Sequence, residues 1–202
     1  MIADKLARVH ERIASACAGA GRPVQTVTLL VVSKTFGPEA VREAHAAGER
    51  RFGENYVQEG VEKILTLADL RERIEWHLIG PLQSNKTRVV AERFDWVHTV
   101  DRLKLAERLS AQRPASLPAL DVCLQVNISG EASKAGFAPR EVAAAAHAVA
   151  SLPRLALRGL MAIPEPAGDV EAQRRPHRAL RELLEGLRRD GLPLDTLSMG
   201  MS

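Results

Sequence analysis

One lysine stands where the sequence pattern places a nucleophile. Lys34 follows an apolar, β-branched run, residues 27–32, which is typical of a strand covered on both faces. An amine at the edge of a dry interior loses part of its hydration, which favours the neutral form that attacks carbonyl carbons. The alternative is an ordinary lysine whose ammonium stays in water, and the spacing alone favours this alternative because lysines are mostly exposed.

Other site patterns fit less well. The segment Gly80–Lys86 lacks the second glycine of a phosphate-binding P-loop, so it predicts a turn in which Ser84 caps a helix. His77 and His98 are single histidines within predicted strands, which is more typical of core residues than of metal ligands. Residues 198–202 are suited to cradling a phosphate with backbone N–H groups, and a simple turn explains them equally well.

Strand-like and helix-like segments alternate along the chain, which predicts a parallel sheet flanked by helices. Seven strands are predicted, at 27–32, 50–53, 76–79, 96–100, 120–126, 155–161 and 194–199. Helices are predicted at 4–18, 38–47, 56–72, 84–94, 139–150 and 172–190, with a further one capped by Asp101. A doubly wound sheet and an eight-stranded barrel both fit this pattern, although 202 residues is short for a barrel.

The apolar spacing within these segments predicts which helix faces are buried. In the first helix these are Leu6, Val9, Ile13 and Cys17. In helix 56–72 they are Val57, Val61, Ile64, Leu65 and Ala68. In the helix after Asp101 they are Leu105, Ala106 and Leu109, and in helix 172–190 they are Leu180, Leu183, Leu184 and Leu187.

The composition is that of an ordinary globular protein, with 46% hydrophobic and 26% charged residues. The net charge of +3 is spread over intermixed charges of both signs, which argues against a nucleic-acid partner. The chain has no apolar signal core and no apolar stretch long enough for a membrane span, so we expect a cytoplasmic protein. Two distant cysteines do not make a disulfide framework, and Cys123 is predicted to be a buried free thiol.

Taken together and in order, the segments around the predicted strand ends resemble the pyridoxal phosphate homeostasis proteins (the YggS/PROSC-type family). The resembling segments cover nearly the whole chain: 30–35, 52–59, 77–86, 98–101, 125–129, 133–136, 158–164 and 198–202. The resemblance implies a TIM-type (β/α)8 barrel like the N-terminal domain of alanine racemase, with an extra N-terminal helix. It also makes a functional amine, and not an ordinary exposed lysine, the favoured interpretation of Lys34.

The resemblance further implies a cofactor, pyridoxal phosphate, and a set of contacts to it, with no catalytic residue and no metal. The matching positions are Lys34 for the Schiff base, Asn55 and Tyr56 beside the cofactor, Gly200 and Ser202 at the phosphate, and Lys134 as a second lysine of the site. A role in cofactor transfer is suggested for Lys134.

Relatives continue past the Ser-Met-Gly-Met-Ser segment with a helix and a last strand. That strand carries an Arg-Ile-Gly segment, whose arginine faces the ring nitrogen of the cofactor. These elements are absent from residues 1–202. We therefore expect a single βα-barrel domain without its last helix and strand. Either the protein continues further, which we favour, or it is a shortened protein with an open barrel, in which the first and seventh strands keep unfavourable unpaired edges.

The function implied by the resemblance is intracellular vitamin B6 homeostasis, in which a monomer buffers the cofactor or delivers it to apo-enzymes. The alternative is a pyridoxal phosphate-dependent amino-acid racemase, which needs a positioned base on each face of the cofactor. In racemases one base comes from a partner subunit and an extra β domain, for which this chain has no room. We therefore expect a protein that carries the cofactor and is not an enzyme.

Overall fold

The structure is a computed structural model that describes residues 1–130, 135–165 and 167–200. The chain divides into two compact units, Met1–His77 and Leu78–Ser202. Each unit is built from β-α alternation. The expectation that residues 1–202 form one domain stays a prediction.

The first unit contains the strands that carry Lys34, Asn55 and Tyr56. Its elements are α1 (Ile2–Gly19), β1 (Val31–Val32), α2 (Pro38–Ala46), β2 (Arg51–Glu54), α3 (Val57–Thr66) and β3 (Glu75–Leu78), whose last residue lies past the unit boundary. Two 3-10 segments, Val24–Thr26 and Ala68–Arg73, precede β1 and β3. β2 lies between β1 and β3, and β1 pairs with β2 in parallel.

The second unit continues the alternation with four strands. Its elements are α4 (Thr87–Arg93), β4 (Trp96–Val100), α5 (Leu103–Gln112), β5 (Leu120–Gln125), α6 (Val142–Ala150), β6 (Leu155–Ala162), α7 (Val170–Arg189) and β7 (Thr196–Met199). Short 3-10 turns, Ser84–Lys86 and Pro139–Glu141, precede α4 and α6. The strands pair in parallel in chain order.

The pairing of β6 with β7 depends on one glycine. A Cβ built on Gly159 would lie 1.8 Å from the backbone oxygen of Thr196 in the neighbouring strand. No side chain can occupy that space, so glycine alone allows the two backbones to approach this closely.

The predicted alternation is confirmed, with one large difference in the first strand. The sequence pattern predicts a strand over 27–32 that is buried on both faces, whereas β1 contains only Val31 and Val32, both partly exposed. The ladder extends only where β2 lies opposite, with Val31 beside Phe52 and Val32 beside Gly53. The residues before them emerge from a 3-10 turn and form no ladder.

The predicted buried face of α3 is partly wrong. Leu65 is 54% exposed, and Ala68 lies beyond the helix in an exposed position. Lys63 is buried instead, together with Gly60 and Ile64. A lysine can occupy such a position only when its charge and its N–H groups find partners, and the site described below supplies them.

The two predicted caps are also wrong. Helix α5 begins after Arg102. The carboxylate of Asp101 accepts a hydrogen bond from the Arg102 guanidinium at 2.7 Å and caps no N–H group of the helix. Ser84 opens a 3-10 turn, in which its carbonyl oxygen accepts a hydrogen bond from the Thr87 hydroxyl at 2.9 Å.

The apolar faces of the other helices follow the predicted pattern. Cys17 in α1, Leu105 and Leu109 in α5, and Leu184 in α7 are all buried. Cys123 is completely buried as a free thiol, and burial raises its pKa well above the ordinary value. His77 and His98 are also buried within their strands. Within the described ranges, no helix is both apolar enough and long enough to traverse a bilayer.

Candidate functional site

The carboxyl ends of β1 and β2 bring three of the predicted residues to one edge of the sheet. Lys34 lies in the turn after β1 and is half-buried. Asn55, also half-buried, directly follows β2, and the next residue, Tyr56, is 61% exposed. Because β1 and β2 are neighbouring parallel strands, residues that follow them lie at the same edge. An amine, an amide and a phenol therefore share this rim.

The turn that carries Lys34 has an unusual backbone. Thr35 has φ of 66°, in the left-handed region that a β-branched residue seldom adopts. The N–H of Phe36 donates to the Ser33 carbonyl oxygen at 3.1 Å and closes the turn. The N–H of Thr35 donates to Glu59 Oε1 at 2.6 Å, a charge-assisted hydrogen bond to α3. The chain on the C-terminal side of Lys34 is thus held by a carboxylate.

A buried group of charged and polar side chains lies directly below this turn. We call Ser33, Glu54, Glu59 and Lys63 the Lys63 cluster. Lys63 donates from Nζ to the Ser33 carbonyl oxygen at 2.6 Å, to Glu54 Oε1 at 2.8 Å and to Glu59 Oε1 at 2.7 Å. The Ser33 hydroxyl donates to Glu54 Oε1 at 2.6 Å. Each of the three N–H donors of the ammonium therefore has an acceptor.

Burial sets the electrostatics of the cluster. Glu54 has no exposed surface, and burial raises its pKa in spite of the hydrogen bonds from Lys63 and Ser33, which lower it. Burial also raises the pKa of Glu59, but the hydrogen bonds from Lys63 and the Thr35 amide outweigh this effect and hold that pKa below its ordinary value. Glu59 is therefore the firmly ionised partner of the Lys63 ammonium.

Lys34 differs from Lys63 in its burial and in its hydrogen bonding. Within the described part of the chain, Lys34 makes no side-chain hydrogen bond and no ion pair. Lys63 is more deeply buried and is fully hydrogen-bonded. An amine without a competing acceptor, at a partly dry rim, is suited to attack on a carbonyl carbon.

The remaining predicted residues belong to the second unit. Gly200 follows β7, is exposed, and has φ of 123°, a conformation that favours glycine. Lys134 and Ser202 lie outside the described residues. Beyond the carboxyl end of β5, a cavity of about 200 Å³ is lined by Gln125, Val126, Asn127, Ile128, Ser129, Ala135 and Ile163.

The Lys63 cluster is not among the site residues that the sequence predicts. One signal for it is present in the sequence: Glu59 and Lys63 are spaced i,i+4, which places them on one helix face. A second feature is visible only in the structure, where Glu54 ends a strand whose residues after Arg51 are all buried. Helical periodicity counts apolar residues only, so it treats Lys63 as a surface position.

Comparison with known proteins places the chain in a family. The alanine racemase N-terminal domain family matches residues 5–202. The chain is 61% identical over 201 residues to the pyridoxal phosphate homeostasis protein of Pseudomonas aeruginosa, covering 100% of this chain and 85% of that protein. The Escherichia coli K12 protein of the same name is 52% identical over 202 residues, with 100% and 86% covered. The chain belongs to the pyridoxal phosphate homeostasis family.

Solved structures agree with this family membership. PipY of Synechococcus elongatus, solved with PLP bound, has a TM-score of 0.79 and 38% identity, covering 96% of this chain and 89% of PipY. Alanine racemase of Clostridium difficile has a TM-score of 0.69 at 12% identity, covering 86% of this chain and 47% of the racemase, and shows the fold alone. The predicted fold class, an α/β barrel of the alanine racemase N-terminal type, is confirmed.

Proposed function

We propose that this family member binds pyridoxal phosphate covalently through Lys34 and holds it in reserve for buffering or for delivery to apo-enzymes. The observation that carries the proposal is the half-buried Lys34 amine, which has no acceptor among the described residues and stands at the rim shared by Asn55 and Tyr56. The names of the relatives and the PLP-bound structure of PipY support the same cofactor.

The residues present fit this cofactor. When bound, pyridoxal phosphate supplies an aldehyde, whose oxygen leaves as water when a neutral lysine amine forms a carbon–nitrogen double bond with its carbon. Lys34 supplies the amine, and Asn55 and Tyr56 supply a polar amide and an aromatic ring at the same sheet edge. Gly200, which the family resemblance assigns to the phosphate, is exposed and has open space where a Cβ would lie.

The other residues that the family resemblance assigns to the site keep the roles it gives them. Lys134 serves as a second lysine of the site, and Ser202 joins Gly200 at the phosphate. The protein acts as a monomer in the cytoplasm, where the enzymes that need the cofactor are made. Reversible attachment to one amine suits storage and release, because the carbon–nitrogen bond is returned to aldehyde and amine by water.

The protein acts as a carrier and not as an enzyme. Racemisation needs a positioned acid–base group on each side of the bound substrate. Around Lys34, the carboxylates of the buried Glu54 and the partly exposed Glu59 are both paired with Lys63, so neither is free to serve as such a group. We expect incubation with D- or L-alanine to leave the enantiomer unchanged, and rapid loss of chirality would refute the carrier role.

Covalent attachment is tested by mapping the modified lysine. One equivalent of pyridoxal phosphate is added to the folded chain, borohydride reduces the product, and peptides are analysed by mass spectrometry. We expect a pyridoxyl group on Lys34 and none on Lys63, which serves as an internal control in the same unit. An unmodified Lys34 in protein that has otherwise been shown to be folded would overturn the proposal.

A further inference from the structure

The residues before and after Lys34 are both connected by hydrogen bonds to the buried ammonium of Lys63. On one side, the Ser33 carbonyl oxygen accepts directly from Lys63 at 2.6 Å. On the other side, the Thr35 N–H donates to Glu59 at 2.6 Å, and that oxygen also accepts from Lys63 at 2.7 Å. The backbone of Lys34 therefore runs between two points that α3 fixes.

We propose that Glu59 and Lys63 are positioning residues for Lys34, which hold its turn in the conformation that presents the amine to the cofactor aldehyde. The inference rests on the proposed attachment at Lys34. Neither residue touches the cofactor in this role. They act through the backbone of Ser33 and Thr35.

The backbone conformation of Thr35 shows why the turn needs these hydrogen bonds. A left-handed conformation is unfavourable for threonine, and nothing in the residue itself stabilises it. The charge-assisted bond from its N–H to Glu59 is available only in the observed turn, so it offsets the cost. Without this acceptor, Thr35 is free to return to an ordinary conformation, and the turn that starts at Ser33 changes direction at Lys34.

The position of Glu59 depends in turn on Lys63. The side chain of Glu59 is 26% exposed, so water competes for it, whereas Lys63 is 5% exposed and is anchored by Ser33 and Glu54 as well. The hydrogen bond from Lys63 thus fixes the carboxylate of Glu59, which in turn accepts from the Thr35 N–H. The positive charge of Lys63 and the negative charge of Glu59 compensate each other. This explains why an ion pair lies beneath Lys34, which itself makes no side-chain hydrogen bond or ion pair among the described residues.

The test compares variants of the full chain for the rate at which pyridoxal phosphate attaches to Lys34, followed by borohydride quenching and peptide mapping. Glu59→Ala removes the acceptor, and Glu59→Gln keeps an oxygen that can accept. Glu62→Ala is the matched control, because Glu62 is an exposed glutamate on the same helix. Amide hydrogen exchange at Thr35 and the thermal midpoint are measured alongside.

We expect Glu59→Ala to slow attachment about tenfold, the ratio that corresponds to the cost of a left-handed backbone, and to speed exchange of the Thr35 amide. Glu59→Gln should remain within about threefold of wild type, since a neutral acceptor gives a weaker bond. Glu62→Ala should match wild type in all measurements.

A second substitution separates positioning from a general loss of structure. Glycine adopts positive φ without strain, so Thr35→Gly in the Glu59→Ala background should restore most of the attachment rate. A merely structural effect of Glu59→Ala would not be rescued at that site. Attachment at the wild-type rate in Glu59→Ala, or no rescue by Thr35→Gly, would overturn the positioning role alone. A wild-type chain that takes no pyridoxyl group on Lys34 would overturn the proposed function and the positioning role together.

Discussion

Replacement of Lys63 by methionine is the perturbation that the structure constrains most tightly. Methionine keeps the apolar stem of lysine and removes only the ammonium, so the loss of packing is small. The ammonium donates three hydrogen bonds of 2.6 to 2.8 Å, two of them to carboxylates. Its removal leaves Glu54 completely buried with no cation beside it.

The expected cost follows from that stranded carboxylate. Breaking a buried ion pair by removing one partner destabilises a protein by about 3–5 kcal/mol, mainly because the other charge stays buried. Glu54 can escape part of this cost by binding a proton, since burial already raises its pKa. We therefore expect Lys63→Met to lower the free energy of unfolding by about 3 kcal/mol at neutral pH, near the lower end of that range.

The cost should also depend on pH in a defined direction. Because the pKa of Glu54 is raised on folding, the folded chain binds more protons there than the unfolded chain, and stability falls as pH rises above the ordinary value of 4.5. Loss of Lys63 removes hydrogen bonding and charge that lower this pKa, so the fall becomes larger. The difference in stability between wild type and Lys63→Met should therefore shrink as pH decreases towards 4.5.

Urea unfolding followed by Trp76 fluorescence measures this effect in the unit that contains the cluster. A Trp96→Phe background makes Trp76 the only indole, since the chain has two tryptophans. Lys5→Met, an exposed lysine of α1, is the control and should change stability by less than about 0.5 kcal/mol. Equal stability of Lys63→Met and Lys5→Met at neutral pH would refute the reasoning. Adding Glu54→Gln to Lys63→Met should recover part of the loss, because no buried charge then remains at that position.

Three further predictions concern the second unit. In thermal melts, Gly159→Ala should destabilise this unit by about 3 kcal/mol or more, because the new Cβ would lie 1.8 Å from the Thr196 backbone oxygen. As its counterpart in the same melts, Gly186→Ala in α7 should stabilise the unit by about 0.5–1 kcal/mol, because the nearest atom outside the helix backbone is a side-chain nitrogen at 4.0 Å. Arg158→Met should cost about 1 kcal/mol, and less in high salt, because this partly exposed guanidinium pairs with two aspartates and lies over a tryptophan ring; a salt-independent loss would contradict this account. Cys123 should resist thiol reagents until the chain unfolds, because burial raises its pKa; rapid labelling of Cys123 in folded protein would show that the strand opens.

The elements that the sequence predicts well are those whose burial is apolar and local. The spacing of Leu6, Val9, Ile13 and Cys17 predicts α1 and its inner face, because a helix that lies on a core needs only an apolar stripe. β6 and β7 are likewise found close to the predicted ranges. β1 is shorter than predicted because a strand exists only where a neighbour pairs with it, and single-sequence patterns do not contain the register.

The candidate site shows the limit of sequence reasoning more sharply. Only the family resemblance indicates a functional role for Lys34, since its position after an apolar run fits an ordinary surface lysine as well. The predicted site does not include Lys63, because this buried lysine is stabilised by residues from three separate segments, and Glu54 and Ser33 lie outside its own helix. The backbone conformation of Thr35 has no signature in the residue type, because threonine seldom adopts it.

Lys63 has hydrogen-bond acceptors and Lys34 has none among the described residues, and this difference affects how each lysine is chemically damaged. Reducing sugars and small metabolic aldehydes modify lysines through the same neutral amine that the cofactor uses. Lys63 is protected from them by its three acceptors and its burial, while Lys34 is left open. Of these two lysines, we therefore expect only Lys34 to be glycated in the cofactor-free protein, so that a bound cofactor also shields the chain from ageing at this residue.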